Sequence, residues 1–149
     1  MTHRLTFGNA TSYVDMNGYT VDTTTGDGLA LFSAVHTLAF SPTTYSNVVS
    51  GAPQFSKSAL EAAELLAVTN ILDNFGKRRQ MKFSHIWSTD NPTTVNNIRQ
   101  FLRSISDVTQ ANPNVINVYN NKYEHLVLSQ LSTDANSNYD STKRYWWGI

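Results

Sequence analysis

The sequence predicts an α+β fold, and three observations carry that prediction. Two stretches repeat apolar residues at helical spacing. Several short runs alternate, or are rich in threonine and aromatics, as strands are. Asparagine and threonine together make up 32 of 149 residues, and both suit strands and turns better than helix interiors. The length fits one domain with an extended appendage. With 40% hydrophobic and 15% charged residues, the chain can build a core.

The first strands are expected in residues 4–24, RLTFGNATSYVDMNGYTVDTT. Asn17-Gly18 is a hairpin signal, because both residues tolerate the positive φ of a type I′ turn. The segment has too few large apolar residues for a core of its own. Residues 8–26 should therefore protrude from an isolated subunit. Pro42, Gly51 and Pro53 mark residues 38–56 as loop. From Ser56 to Phe75 the pattern turns helical, with Leu60, Ala63, Ala67, Ile71 and Phe75 on one stripe. Ser58 and Glu61 can form a capping box, and Gly76 followed by Lys77, Arg78 and Arg79 suits the helix end. Leu65 and Ile71 are expected inside. Such a helix would be about 27 Å long at 1.5 Å rise per residue.

Residues 79–88 alternate Met81, Phe83, His85 and Trp87, as a strand does. Asn91 and Pro92 open a second helix as N-cap and first helical residue. Its apolar face is Val95, Ile98, Phe101, Leu102 and Ile105. A loop follows over 108–114. VINVYNN and EHLVLSQL read as strands, 132–142 as a polar loop and KRYWWGI as a closing strand.

Little in the sequence points to chemistry. The chain has no cysteine, which excludes disulfides, thiolate metal sites and thiol catalysis. Net charge is zero, so no field of one sign draws nucleic acid or anionic lipid. No apolar run approaches the roughly 20 residues of a membrane helix. MTHRLTFGNATS has no signal-peptide core, so the expected compartment of synthesis is a cytosol. His3, His36, His85 and His125 show no metal-ligand spacing. No catalytic, cofactor-binding or metal-binding residue is assigned. A hydrolase using Ser33, His36 and Asp27 is weighed and set aside, because triad members usually come from separate elements. His36, between Val35 and Thr37, reads as a packed neutral imidazole with at most one backbone hydrogen bond. Tyr145, Trp146 and Trp147 could stack on sugars or a peptide; a strand burying aromatics is the commoner case.

One ordered set of motifs goes further. GDGLALFSAVHTL at 26–38 is followed by YSN at 45–47, by LEAA at 60–63 on the predicted helix, by Phe75-Gly76 at its end, and by YWWGI at 145–149. That order resembles the major capsid proteins of tailed bacteriophages, in particular the Mu-like prophage head subunits. These carry a DGKALFS-x-x-HP block, an SN pair, a LEAA-type helix and a terminal Trp-containing strand. Leu29 stands where that block has lysine, and Thr37 where it has proline. HIWSTDNP replaces the VP pair expected after the helix. These departures and the short chain point to a truncated or reduced member.

The resemblance implies a Hong Kong 97-type capsid fold in three parts. Residues 1–50 would be an extended hairpin loop. Residues 51–87 would be the spine helix and strand of the peripheral domain. Residues 88–149 would be an axial α/β lobe with its closing strand. It also implies a virion coat protein without enzymatic activity or cofactor, assembled in the cytoplasm of a bacterial host. Its partners would be other copies of itself in pentamers and hexamers, with scaffold and portal proteins and at most non-specific contact with packaged DNA. The alternative is a non-catalytic glycan- or peptide-binding module using the aromatic C-terminal strand.

Overall fold

The computed structural model describes residues 10–15, 17–106, 115–133 and 138–149. His3, the Leu5 and Phe7 run, the loop over 108–114 and the middle of the 132–142 loop lie outside these residues. The architecture is α+β. In chain order the strands and helices are β1 (Ser12–Val14), β2 (Thr20–Asp22), β3 (His36–Leu38), β4 (Ser41–Tyr45), α1 (Lys57–Asn70), β5 (His85–Ser88), α2 (Pro92–Arg103), β6 (Glu124–Val127) and β7 (Trp147–Gly148). Two 3₁₀ turns, Ser129–Ser132 and Ser141–Lys143, sit between β6 and β7.

The strands form three separate sheets. β1 pairs antiparallel with β2, and β3 with β4. In the third sheet β5 is central, parallel to β6 and antiparallel to β7. α2 makes the crossover that two parallel strands require. Its start follows the prediction: the Asn91 side chain accepts from the Thr93 and Thr94 amides at 3.1 and 3.4 Å, and Pro92 is the first helical residue. Val95, Ile98, Phe101 and Leu102 are buried as expected. Ile105 lies past the helix end and is exposed.

The core gathers around α2. Ile86 from β5 and Leu60 from α1 join Ile98, Phe101, Leu102, Tyr119, Tyr123 and Phe55. Fully burying each aliphatic side chain contributes roughly 1.5–3 kcal/mol. Phe55 meets Phe101 and Trp147 edge-on, at 5.6 and 5.2 Å between ring centroids. The Trp147 indole N–H donates to the Pro53 carbonyl at 2.9 Å, which fixes the closing strand to the loop before α1.

α1 departs from the prediction. It ends at Asn70, and among its residues only Ala59 and Leu60 are buried. Leu65, expected inside, is 63% exposed. Its cap is Ser56, whose hydroxyl accepts from the Ala59 amide at 3.2 Å; Ser58 bonds the Ser56 hydroxyl instead of forming a box with Glu61. The early end has a local cause. Val68, Thr69 and Ile71 are β-branched, and the Thr69 hydroxyl bonds back to the Leu65 carbonyl at 2.9 Å. Asp73 then accepts from the Phe75 and Lys77 amides, and Leu72 bridges to Arg78 around Gly76, whose φ is 78°. The basic triplet therefore belongs to this turn and not to the helix end, with Arg79 3.5 Å from Asp73.

Other expectations also shift. The β1–β2 hairpin forms, but through a longer loop than a two-residue turn. Val14 pairs with Thr20, and the Asp15 carboxylate accepts from the Asn17 and Tyr19 amides at 2.9 and 2.8 Å. Only Gly18 of the Asn-Gly pair has positive φ. The strand predicted over 79–88 begins at His85. Residues 115–121, predicted as a strand, hold one bridge, Ser106 to Ile116, and then turn. Asn117 explains the turn: its side-chain amide donates to the Phe101 and Ser104 carbonyls, and its carbonyl oxygen accepts from Tyr119 N–H.

Candidate functional site

The GDGLALFSAVHTL segment folds into a polar clip around Asp27. Thr25 and Gly28 form the turn, with Gly28 N–H on the Thr25 carbonyl at 2.9 Å and Gly28 at φ 78°. That turn aims the Asp27 carboxylate at β3. One oxygen accepts from the Thr25 hydroxyl and from Leu29 N–H at 3.2 Å. The other accepts from His36 Nδ1 at 2.7 Å and from Thr37 N–H at 3.2 Å. The Thr25 hydroxyl holds the Asp27 carboxyl far below the ordinary carboxylate range, with help from His36 and the two amides and against the opposing effect of burial.

The sequence suggested a packed His36 ring with at most one backbone hydrogen bond; the structure adds a carboxylate contact. The ring is buried, but its partners are polar. Nδ1 faces the Asp27 carboxylate, and Nε2 lies 3.2 Å from the Leu31 carbonyl. Both partners are acceptors, and the tautomer decides which contact carries a ring hydrogen. The ring stacks on Tyr45, its cross-strand partner, at 5.3 Å and 26°. Asn47 closes the clip. Its side-chain amide donates to the Leu31 carbonyl at 2.7 Å, and its carbonyl oxygen accepts from Ser33 N–H at 2.9 Å.

The clip lines an open hollow of about 490 Å³ that also includes Thr37 and Asn74. Ser33, His36 and Asp27 do not assemble as a triad. The ring nitrogen that would activate a nucleophile is turned to a carbonyl, and the Ser33 hydroxyl accepts from Val35 N–H at 3.2 Å. The arrangement ties residues 25–31 to β3 and β4.

A second polar centre was not anticipated. Glu64, half-buried on α1, accepts from the Lys122 ammonium at 2.7 Å, from the Tyr119 hydroxyl at 3.3 Å and from the Tyr123 hydroxyl. The Lys122 ammonium lies over both tyrosine rings, at 4.7 and 5.2 Å. Burial works against the Glu64 charge, but Lys122 and the two hydroxyls outweigh it, and the Glu64 carboxyl ends below its usual range. Burial, then the charge of Glu64, pushes the Tyr119 phenol up to about 12; burial and the Glu64 hydrogen bond push Tyr123 up as well. This cluster joins α1 to the turn before β6. Its only sequence signal is a glutamate off the apolar stripe of a helix.

The remaining histidines stand apart. His85 contacts Ser84 and Glu124. His125 lies beside Ser88, whose hydroxyl donates to the Thr89 carbonyl and so accepts from His125 Nε2–H at 2.8 Å. That leaves His125 Nδ1 buried without a partner. Among the described residues no group of three metal-ligating side chains comes together. The aromatic C-terminal run is not an open stacking platform. Trp147 packs inward on Phe55, and Tyr145 and Trp146 sit under the Arg144 and Lys143 side chains. No helix among the described residues is long and apolar enough to cross a membrane. No protein-family model matches the chain, and no curated protein or solved structure matches it.

Proposed function

We propose that the chain is a non-catalytic, self-associating shell subunit of the kind that forms the coat of tailed bacteriophages, with a Hong Kong 97-type fold. Residues 1–50 act as its extended arm, residues 51–87, with α1 as the spine, as its peripheral part, and residues 88–149 as its axial part. Its partners are further copies in pentamers and hexamers, with scaffold and portal proteins and non-specific contact with DNA. It acts in the virion, after assembly in a bacterial cytoplasm. The motif order from Gly26 to Ile149 supports this reading.

The observation that carries it is an apolar surface that no element among the described residues covers. Leu65 and Val68 lie outward on α1, at 63% and 59% exposure. Phe40, at the β3–β4 turn, stacks on Phe75 at 5.6 Å, and both rings are 71% exposed. Apolar patches of this kind mark contact surfaces. Light scattering after size exclusion, with electron microscopy, tests the reading. The expected result is concentration-dependent oligomers, rings or shells, lost in a Phe40→Ser, Phe75→Ser double variant that keeps its circular dichroism. A chain that stays monomeric at every concentration, or a double variant that assembles like the parent, overturns it.

A further inference from the structure

A pocket between α2 and β6 is separate from the Asp27 clip and borders the Glu64 cluster only through Tyr123. It is an open hollow of about 280 Å³, lined by Arg99, Arg103, Asn121, Tyr123, Glu124 and His125, among others. Arg99 and Arg103 are four residues apart on α2, so their side chains share one side of the helix. Neither guanidinium has a carboxylate partner within 4 Å among the described residues. Two like charges at this spacing repel, and no carboxylate among the described residues lies within salt-bridge distance to offset them. Glu124, the one carboxylate in the lining, is turned toward His85 at 3.2 Å.

The pocket therefore holds two planar, five-donor cations with no carboxylate partner among the described residues, and one carboxylate that is already engaged. Guanidinium forks match oxyanions through paired hydrogen bonds. A cation would meet repulsion, and a neutral ligand would leave both charges uncompensated. The volume falls below the roughly 300–1,000 Å³ of sites that enclose drug-sized ligands, so one small group fits. We propose that Arg99 and Arg103 form a binding site for a single phosphate-type oxyanion, either inorganic phosphate or the terminal phosphate of a small phosphomonoester. The inference is independent of the shell reading.

His125 reports on this site. Burial disfavours its charged form, and the positive charge of Arg99 disfavours it further. Neutralising Arg99 with an anion removes the second effect. Anion binding and proton uptake at His125 are therefore coupled, and the coupling is reciprocal.

The test is an NMR titration of the full chain with inorganic phosphate, with a nucleoside monophosphate and with a short single-stranded oligonucleotide, each at two salt concentrations. Saturable one-to-one binding of phosphate and of the monophosphate, centred on Arg99, Arg103 and His125, is the expected result. The His125 titration midpoint should rise with phosphate present. In Arg99→Gln it should rise without phosphate. Arg99→Gln and Arg103→Gln, both at exposed positions, should each weaken phosphate binding about tenfold or more, as loss of a charged hydrogen bond does. Absence of saturable phosphate binding overturns the proposal. So does binding that survives both substitutions, or binding of the oligonucleotide alone with a steep salt dependence, which would mark a general backbone contact.

Discussion

Replacing Asp27 with asparagine removes one charge and little volume from the middle of the clip. The carboxylate accepts four hydrogen bonds, from the Thr25 hydroxyl, the Leu29 and Thr37 amides and His36 Nδ1. An asparagine oxygen can keep the Thr25 and Leu29 contacts. Its amide nitrogen, however, would face two donors, His36 Nδ1 and Thr37 N–H. Hydrogen bonds to a charged group contribute about 1.5–3 kcal/mol each, and an unsatisfied buried group costs about 1–3 kcal/mol. These terms overlap at one site, so the expected loss is about 2–4 kcal/mol. If the clip unfolds together with the lobe, Tm falls by roughly 5–15 °C for a chain of this size. Urea denaturation read by circular dichroism and by the amides of residues 25–47 measures it. The same linkage fixes a pH dependence. The Asp27 carboxyl is depressed in the folded chain, so its stabilising effect is present above the unfolded value near 3.9 and is lost as pH falls through the folded value. The parent should lose clip stability progressively below about pH 4. The Asp27→Asn variant should lack that component. A loss under about 0.5 kcal/mol, the range of ordinary surface changes, or an unchanged acid limb, would refute the argument.

Two further outcomes follow from packing and charge. Leu60→Ala should cost about 2–5 kcal/mol because Leu60 is fully buried, while Leu65→Ala should stay within about 0.5 kcal/mol in the monomer; equal losses in chemical denaturation would contradict the placement of α1. Tyr119 should ionise near pH 12 by ultraviolet absorbance. Its contribution to stability is present below the ordinary tyrosine value near 10 and is lost as pH rises through the folded one. Glu64→Gln should bring the Tyr119 transition down, and a titration unmoved by that change would show that Glu64 does not act on the ring.

Sequence pattern served best where one element decides its own structure. α2 was legible because Asn91 and Pro92 act locally and because its apolar stripe meets the core the chain itself supplies. α1 carries an equally regular stripe, yet only Leu60 of it is buried; Ala63, Ala67 and Ile71 are half-buried, and Leu65 and Val68 beside them are exposed. Periodicity reports which face is apolar, and it cannot say whether this chain or another one covers that face. The end of α1 was misread because Gly76 looked like a helix stop, while Asp73 supplied a competing turn six residues before the predicted cationic end. The clip was hidden for a different reason. Asp27, His36, Tyr45 and Asn47 meet only through the β3–β4 pairing and the turn at Gly28, and no spacing rule joins them. Glu64 and its two tyrosines are more than fifty residues apart, so their meeting is a product of the fold alone.

The distribution of the core leads to a last expectation. Every member of the buried cluster lies at Phe55 or later. Residues 10–54 contribute isolated buried positions, Thr23, Ala30 and His36 among them, but no apolar cluster. That half is held by two-stranded pairings and by the Asp27 clip, and two-stranded hairpins are marginal in water by themselves. Hydrogen bonds of this kind open locally at lower free energy than packed helices. Amides of β1–β4 should therefore exchange well before those of α2 and β5 in the monomer, with the clip amides Leu29 and Thr37 the slowest in the N-terminal half. Association that covers Phe40 and Phe75 should slow exchange across β3 and β4, because a partner that binds only the closed form stabilises it by mass action. Hydrogen exchange measured at low and at high protein concentration separates the two contributions. Protection that is uniform along the monomer would mean the N-terminal half shares the core's cooperativity, and the picture of an arm held by polar contacts would then be wrong.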